Sequence, residues 1–250
     1  MLKLLTKNPL THALAWIGIY VGSVNVLDSL SESLGVLNLA TSLGLLGLSL
    51  LSLLYLSRNN LTKRFGLNGI KNDSYKKMLY FIPLIILGLS QFTGTLNPDL
   101  NGYQIALFVL LMANVGFLEE LIFRGYLYQA IKAKSGTNRA ILISGITFGL
   151  GHIVNLMRGM SIDNQVEQII VAIILGILLA KIVDITNSLL PCILFHIVFN
   201  ISGSIMLVDP SLNTIFIFGI LVLASLYLFY LMRLKPNQNE SKIKLETKQA

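Results

Sequence analysis

Residues 103–131 read YQIALFVLLMANVGFLEELIFRGYLYQAI, an apolar run long enough to cross a bilayer, and two adjacent carboxylates, Glu119 and Glu120, lie in its interior. Charged side chains are costly in hydrocarbon. Those that occur there usually face the interior of a helix bundle or a wet cavity and mark a functional site. The run therefore predicts a membrane-spanning helix with a polar site built into it.

The composition of the whole chain agrees with a membrane setting. Of its 250 residues, 54% are hydrophobic and 12% are charged, with a mean hydropathy of +0.72, which lies outside the range of soluble domains. We predict an all-α, polytopic membrane protein with a single transmembrane domain over residues 1–234 and a polar, disordered cytoplasmic tail over 235–250. Eight apolar runs predict helices near residues 10–30, 35–57, 78–97, 103–131, 139–156, 166–185, 188–207 and 213–233.

The basic residues fall on alternate loops of this arrangement. With the N-terminus inside, nearly all Lys and Arg lie on one side, and the positive-inside rule therefore predicts that both termini are cytoplasmic. This distribution accounts for the net charge of +7, so we expect contact with the lipid bilayer and no nucleic-acid partner. The single cysteine, Cys192, excludes an intrachain disulfide and a Cys-based zinc framework.

Two later apolar runs carry polar residues at a similar depth to the carboxylates. Counted from the predicted cytoplasmic ends at 1.5 Å per residue, Glu119 and Asn200 lie about 18 Å deep, His152 about 20 Å and His196 about 12 Å. Three separate segments therefore place polar groups within about one or two helical turns of each other. This agreement predicts a shared site within the membrane.

Four-residue spacings within these segments suggest how the site is built. Glu120 and Arg124 share a helix face and are expected to pair, whereas Glu119 points about 100° away and is expected to stay free for chemistry. His196 and Asn200 also share a face, where an imidazole and a carboxamide form a donor pair suited to a developing oxyanion.

Phe148 and His152 have the same spacing, and we expect their rings to stack one turn apart. Gly149 and Gly151 predict the close approach of a neighbouring helix.

The three segments resemble, in order, the motifs of the CAAX protease and bacteriocin-processing family of intramembrane proteases, also called the CPBP or Abi family. The motifs are Glu-Glu-x-x-x-Arg at 119–124, Phe-x-x-x-His at 148–152 and His-x-x-x-Asn at 196–200. The resemblance covers about residues 103–205. It implies a helical bundle that hydrolyses peptide bonds of membrane-associated peptides or proteins.

The resemblance also implies roles for the motif residues. Glu119 would be the general base on the attacking water, assisted by His152, and His196 with Asn200 would stabilise the tetrahedral oxyanion. The supporting residues would be Glu120, Arg124 and Phe148. The chain length and short loops favour the bacterial branch, in a plasma membrane, with peptide maturation or bacteriocin self-immunity as the role.

Two alternative chemistries remain open. The family is often described as metalloproteases, and Glu119, His152 and His196 could supply three zinc ligands, although the chain lacks an H-E-x-x-H motif. Cys192 lies one turn before His196, as an activated thiol would, although buried cysteines are usually inert.

Three other classes of protein fit parts of the pattern. A catalytically silent scaffold or immunity protein would share the fold, and an ion-coupled transporter also uses intramembrane Glu and His. The transporter predicts inverted repeats, which we do not find, and the three motifs disfavour a lipid-modifying enzyme. Outside the motifs, His12 is expected at the membrane interface, and Asp184, near a span end, is expected in a solvated or capping role.

Overall fold

The computed structural model of the chain describes residues 1–67, 69, 81–158 and 161–234. These residues are almost entirely helical. Their α-helices are α1 (Leu2–Lys7), α2 (Pro9–Ser33), α3 (Leu39–Arg58), α4 (Ile82–Leu89), α5 (Gly102–Glu120), α6 (Gln129–Ser135), α7 (Thr137–Gly151), α8 (Ile162–Thr186), α9 (Leu190–Ile205) and α10 (Pro210–Arg233). Two-residue strands, β1 (Thr95–Leu96) and β2 (Met206–Leu207), pair antiparallel with Thr95 opposite Leu207.

The predicted fold class, an all-α polytopic membrane protein, is confirmed. Among the described residues, five helices are long and apolar enough to cross a membrane: Pro9–Ser33, Leu39–Arg58, Gly102–Ser135, Ile162–Thr186 and Ser211–Arg233. Two shorter apolar helices, Ile82–Thr93 and Leu190–Ile205, correspond to predicted spans of greater length. The predicted disordered tail, 235–250, lies outside the described residues.

The third predicted span, 78–97, is shorter than expected. Its first residues lie outside the described part of the chain, and its helix ends in a 3₁₀ turn at Ser90–Thr93 before β1. A side chain at Gly94 would collide with the carbonyl oxygen of Leu207. The span ends there because the backbone must come close enough to pair with β2.

The helix that carries the two carboxylates is interrupted in a way that the sequence analysis did not predict. A π-helical segment, Leu121–Tyr128, follows α5 directly, and all eight of its residues are buried. Wider π turns disturb the regular backbone hydrogen bonding and often occur at functional sites. The carbonyl of Phe123, inside this segment, accepts a hydrogen bond from the hydroxyl of Ser144 on α7 at 2.8 Å, which ties the segment to its neighbour.

Helices α7 and α8 pack backbone against backbone. A Cβ at Gly149 would lie 2.8 Å from the amide nitrogen of Ile173, and one at Gly176 would lie 2.9 Å from the carbonyl oxygen of Gly145. The close approach predicted at Gly149 is therefore confirmed. At Gly151 it is wrong, since the nearest neighbouring atom is 4.0 Å away. The helix ends at that residue and the chain turns into the 3₁₀ segment His152–Arg158.

Candidate active site

The structure brings the predicted site residues together from three helices. Glu119 lies in the last turn of α5, His152 directly follows α7, and His196 and Asn200 lie one turn apart on α9. Glu119, His152 and Asn200 line one cavity of about 570 Å³. His152, His196 and Asn200 line a second cavity of about 520 Å³. The two cavities meet at the residues that they share.

Glu120 and Arg124 form the ion pair predicted from their spacing. Arg124 Nη1 donates to Glu120 Oε1 at 2.8 Å, and both side chains are completely buried. Arg124 Nη2 also donates to the carbonyl of Gly176 on α8 at 3.3 Å, and its guanidinium carbon lies 4.2 Å from the ring centroid of Phe148. A buried charge loses its favourable interactions with water, and contacts of this kind offset that desolvation cost. The pair therefore connects α5, the π segment, α7 and α8 beneath the site.

His196 lies between the two glutamates. Its Nδ1 is 2.8 Å from Glu120 Oε1, and its Nε2 is 3.4 Å from Glu119 Oε2. Glu120 accepts from Arg124 and is therefore an acceptor toward His196 as well, so the Nδ1 of His196 carries a hydrogen. Nε2 is consequently the imidazole nitrogen left for contact with Glu119 or with a bound molecule.

Glu119 has partners, and the expectation that its carboxylate would be free is wrong. Its Oε1 accepts a hydrogen bond of 2.8 Å from the hydroxyl of Tyr20, a residue 99 positions earlier in the chain, on α2. Its Oε2 faces His196. The side chain nevertheless keeps 13% of its surface exposed, whereas Glu120 keeps none, so Glu119 is the carboxylate that a molecule in the cavity can reach.

His152 is oriented by the end of its own helix. Its Nδ1 donates to the carbonyl oxygen of Phe148 at 3.1 Å. Because a carbonyl oxygen only accepts, Nδ1 carries the hydrogen, and Nε2 of the neutral imidazole holds a lone pair that can accept a proton. The Phe148 ring packs edge-to-face against His152, with centroids 5.1 Å apart, and against His196, with centroids 5.6 Å apart. The ring of Phe148 therefore contacts both imidazoles.

Two further observations concern the zinc and thiol alternatives. Among the described residues, no three His, Cys, Asp or Glu side chains are grouped so that they could hold a metal ion, and the two nitrogens of His196 face two different carboxylates. Zinc binding by Glu119, His152 and His196 stays a prediction. The thiol of Cys192 is fully buried and donates to the carbonyl of Leu179 on α8 at 3.4 Å.

The structure encloses two residues outside the motifs, and for Asp184 this contradicts the expected solvated role. His12 is completely buried in the protein and accepts a hydrogen bond of 3.1 Å from Trp16 Nε1, and its position at the membrane interface stays a prediction. Asp184 is also withdrawn from solvent, with 6% of its side chain exposed. Its carboxylate accepts from Tyr128, Lys132 and Lys181 at 2.9, 2.9 and 3.2 Å.

Residues 101–202 match a family model described as Type II CAAX prenyl endopeptidase Rce1-like. This segment is similar to the Rce1-like family and makes up about two fifths of the chain. The five long apolar helices among the described residues agree with an integral membrane protein of this kind. The match agrees with the predicted resemblance over about 103–205 and contains all three motifs. No curated protein and no solved structure matches the chain.

The Rce1-like segment does not contain the whole site. It begins just before α5 and ends within α9. Tyr20, which contacts the carboxylate of Glu119, comes from α2 and lies outside the segment. A tyrosine within an apolar span is a weak signal of such a contact, since a buried hydroxyl usually finds a partner, but the sequence does not name that partner.

Proposed function

We propose that the protein is an intramembrane endopeptidase that hydrolyses peptide bonds with a water molecule activated by Glu119 and His152. The observation that carries this proposal is the convergence of Glu119, His152, His196 and Asn200 around two adjoining cavities. The ion pair beneath them supports the arrangement, because it keeps Glu120 occupied and leaves Glu119 at the cavity wall.

The first step is the attack of water on the substrate carbonyl. Glu119 accepts the proton that the water loses, and His152 assists by accepting a hydrogen bond from the water at Nε2, because its Nδ1 donates to Phe148. A carbon–oxygen bond forms, and the carbonyl oxygen gains the negative charge. The Nε2 side of His196 and the amide of Asn200 are the groups proposed to stabilise this oxyanion.

The second step is the departure of the amine. The carbon–nitrogen bond breaks as the carbonyl re-forms, and the proton taken from water passes to the leaving nitrogen. The products are a carboxyl group and an amine. His196 would donate to the oxyanion through Nε2 only as the imidazolium, with a hydrogen on each nitrogen, because its Nδ1–H already donates to Glu120.

The proposed substrates are membrane-associated peptides or proteins with apolar residues near the scissile bond. The cavity beside Glu119 is lined mainly by apolar side chains, such as Val21, Phe108 and Leu111, and apolar walls favour apolar ligands. We place the protein in a bacterial plasma membrane, in peptide maturation or self-immunity against a bacteriocin. The short loops and the abundance of Leu, Ile, Asn and Lys support this setting.

The test is cleavage of a membrane-anchored peptide library by the purified chain in liposomes, with products identified by mass spectrometry. The wild type should cleave, and Glu119→Gln should lose at least about a hundred-fold in rate, since it removes the proton acceptor. Glu32→Gln is the matched control, because Glu32 is exposed near the end of α2, and it should retain activity. Absence of cleavage by the wild type would favour the silent scaffold; equal loss in both variants would reject the role of Glu119.

A further inference from the structure

Tyr20 contacts the reactive carboxylate from a helix outside the Rce1-like segment. Its hydroxyl donates to Glu119 Oε1 at 2.8 Å, and the residue is buried with 7% exposure. A hydrogen bond from a neutral donor to a charged acceptor is stronger than one between neutral groups. The contact joins α2 to the end of α5.

The two oxygens of Glu119 face side chains from different helices. Tyr20 on α2 contacts Oε1, and His196 on α9 lies 3.4 Å from Oε2. The last torsion of a glutamate side chain has broad minima, so one contact alone leaves the carboxylate free to rotate. Contacts to both oxygens define the plane of the carboxylate and the direction in which it meets a water molecule.

The position of Tyr20 is itself fixed by the packing of α2. His12, Trp16 and Tyr20 are spaced by four residues, share one face of α2 and are all buried. The rings of His12 and Trp16 lie 4.7 and 5.9 Å from the ring of Tyr126 in the π segment. These ring contacts align α2 with the π segment. Because the π segment begins directly after Glu120, Tyr20 lies at the level of Glu119.

We propose that Tyr20 is a positioning residue for the hydrolytic reaction. It holds Oε1 of Glu119 so that the carboxylate keeps one orientation toward the water and His196. This inference rests on the proposed function of Glu119 as a proton acceptor. It assigns to α2, which the family match does not cover, a part in forming the active site.

The first test compares the variants Tyr20→Phe and Tyr126→Phe in the liposome assay. Both remove one buried hydroxyl and keep the ring, but the hydroxyl of Tyr126 has no hydrogen-bond partner among the described residues. We expect Tyr20→Phe to lower kcat by about 10- to 100-fold, the effect of losing a hydrogen bond to a charged group, with KM changed by less than about two-fold. Tyr126→Phe should keep both constants within about two-fold of the wild type. A Tyr20→Phe enzyme with the kcat of the wild type, or equal losses in the two variants, would overturn the inference.

The second test does not depend on activity. Dicyclohexylcarbodiimide modifies protonated carboxyl groups in apolar surroundings, and peptide mass spectrometry distinguishes Glu119 from Glu120. Loss of the Tyr20 hydroxyl removes the group that contacts Oε1 of Glu119, so Tyr20→Phe should label Glu119 several times faster than the wild type and Tyr126→Phe should not. If the wild type cleaves nothing but this difference is seen, the proposed function fails and the positioning contact stands. If labelling of Glu119 is the same in all three proteins, the contact is rejected whatever the activity.

Discussion

Replacing Arg124 by methionine should strongly destabilise the protein, because Glu120 would then keep a buried charge without its cation. Both side chains are completely buried, with Nη1 and Oε1 at 2.8 Å. Two unit charges about 4 Å apart interact by about 4 kcal/mol at an effective dielectric constant of about 20. Removing one partner of a buried pair costs about 3–5 kcal/mol in measured cases, and we expect this range for Arg124→Met.

The double variant Glu120→Gln/Arg124→Met is the matched comparison. It removes both charges, and a glutamine oxygen can still accept the hydrogen bond from Nδ1 of His196. Replacement of both partners by neutral groups is far less costly than the loss of one. We therefore expect the double variant to recover at least half of the lost stability.

Unfolding can be followed with the only tryptophan of the chain, Trp16. It is buried on α2 against the ring of Tyr126, so its fluorescence reports separation of α2 from the π segment. Equilibrium unfolding in mixed detergent micelles would give the free energy of each variant. A loss below about 1 kcal/mol for Arg124→Met, within the range of a surface pair, or a double variant less stable than the single one, would refute the reasoning.

Two further predictions concern the chemistry at the site. Asn200→Ala should lower kcat by about 10²–10³-fold with little change in KM, as expected for the loss of an oxyanion donor. Steady-state kinetics in liposomes measure both constants. A rise in KM with an unchanged kcat would contradict the oxyanion role. Cys192→Ala should be nearly silent, because the thiol points to Leu179, and phenanthroline should inhibit weakly. Zinc-reversible inhibition, together with stoichiometric metal in the purified protein, would contradict the metal-free mechanism.

The sequence by itself determines the fold class, the pairing of nearby residues on one helix and the depth of the site residues. The apolar composition and the long apolar runs are sufficient to predict an all-α membrane bundle, because spanning segments must satisfy their own backbone hydrogen bonds. The ion pair of Glu120 and Arg124 follows from four-residue spacing on one helix face. The shared depth of Glu119 and His152 follows from counting residues along two helices that start from the same side.

Other features depend on tertiary structure. The sequence did not indicate that Tyr20 contacts Glu119, that His196 joins two glutamates, or that Asp184 is enclosed by Tyr128 and two lysines. These contacts depend on how far each helix is rotated about its axis and where it crosses its neighbours. Periodicity within a single helix does not contain that information.

The lengths of individual helices were decided in the same way. The π segment at Leu121–Tyr128 and the early end of the helix at Thr93 have no local sequence cause as strong as a proline. Each occurs where the backbone meets another element, Ser144 on α7 in the first case and β2 in the second. Local sequence thus determined which residues are available to the site. The packing of whole helices decided which of them touch, because a contact between distant segments exists only after both have been placed.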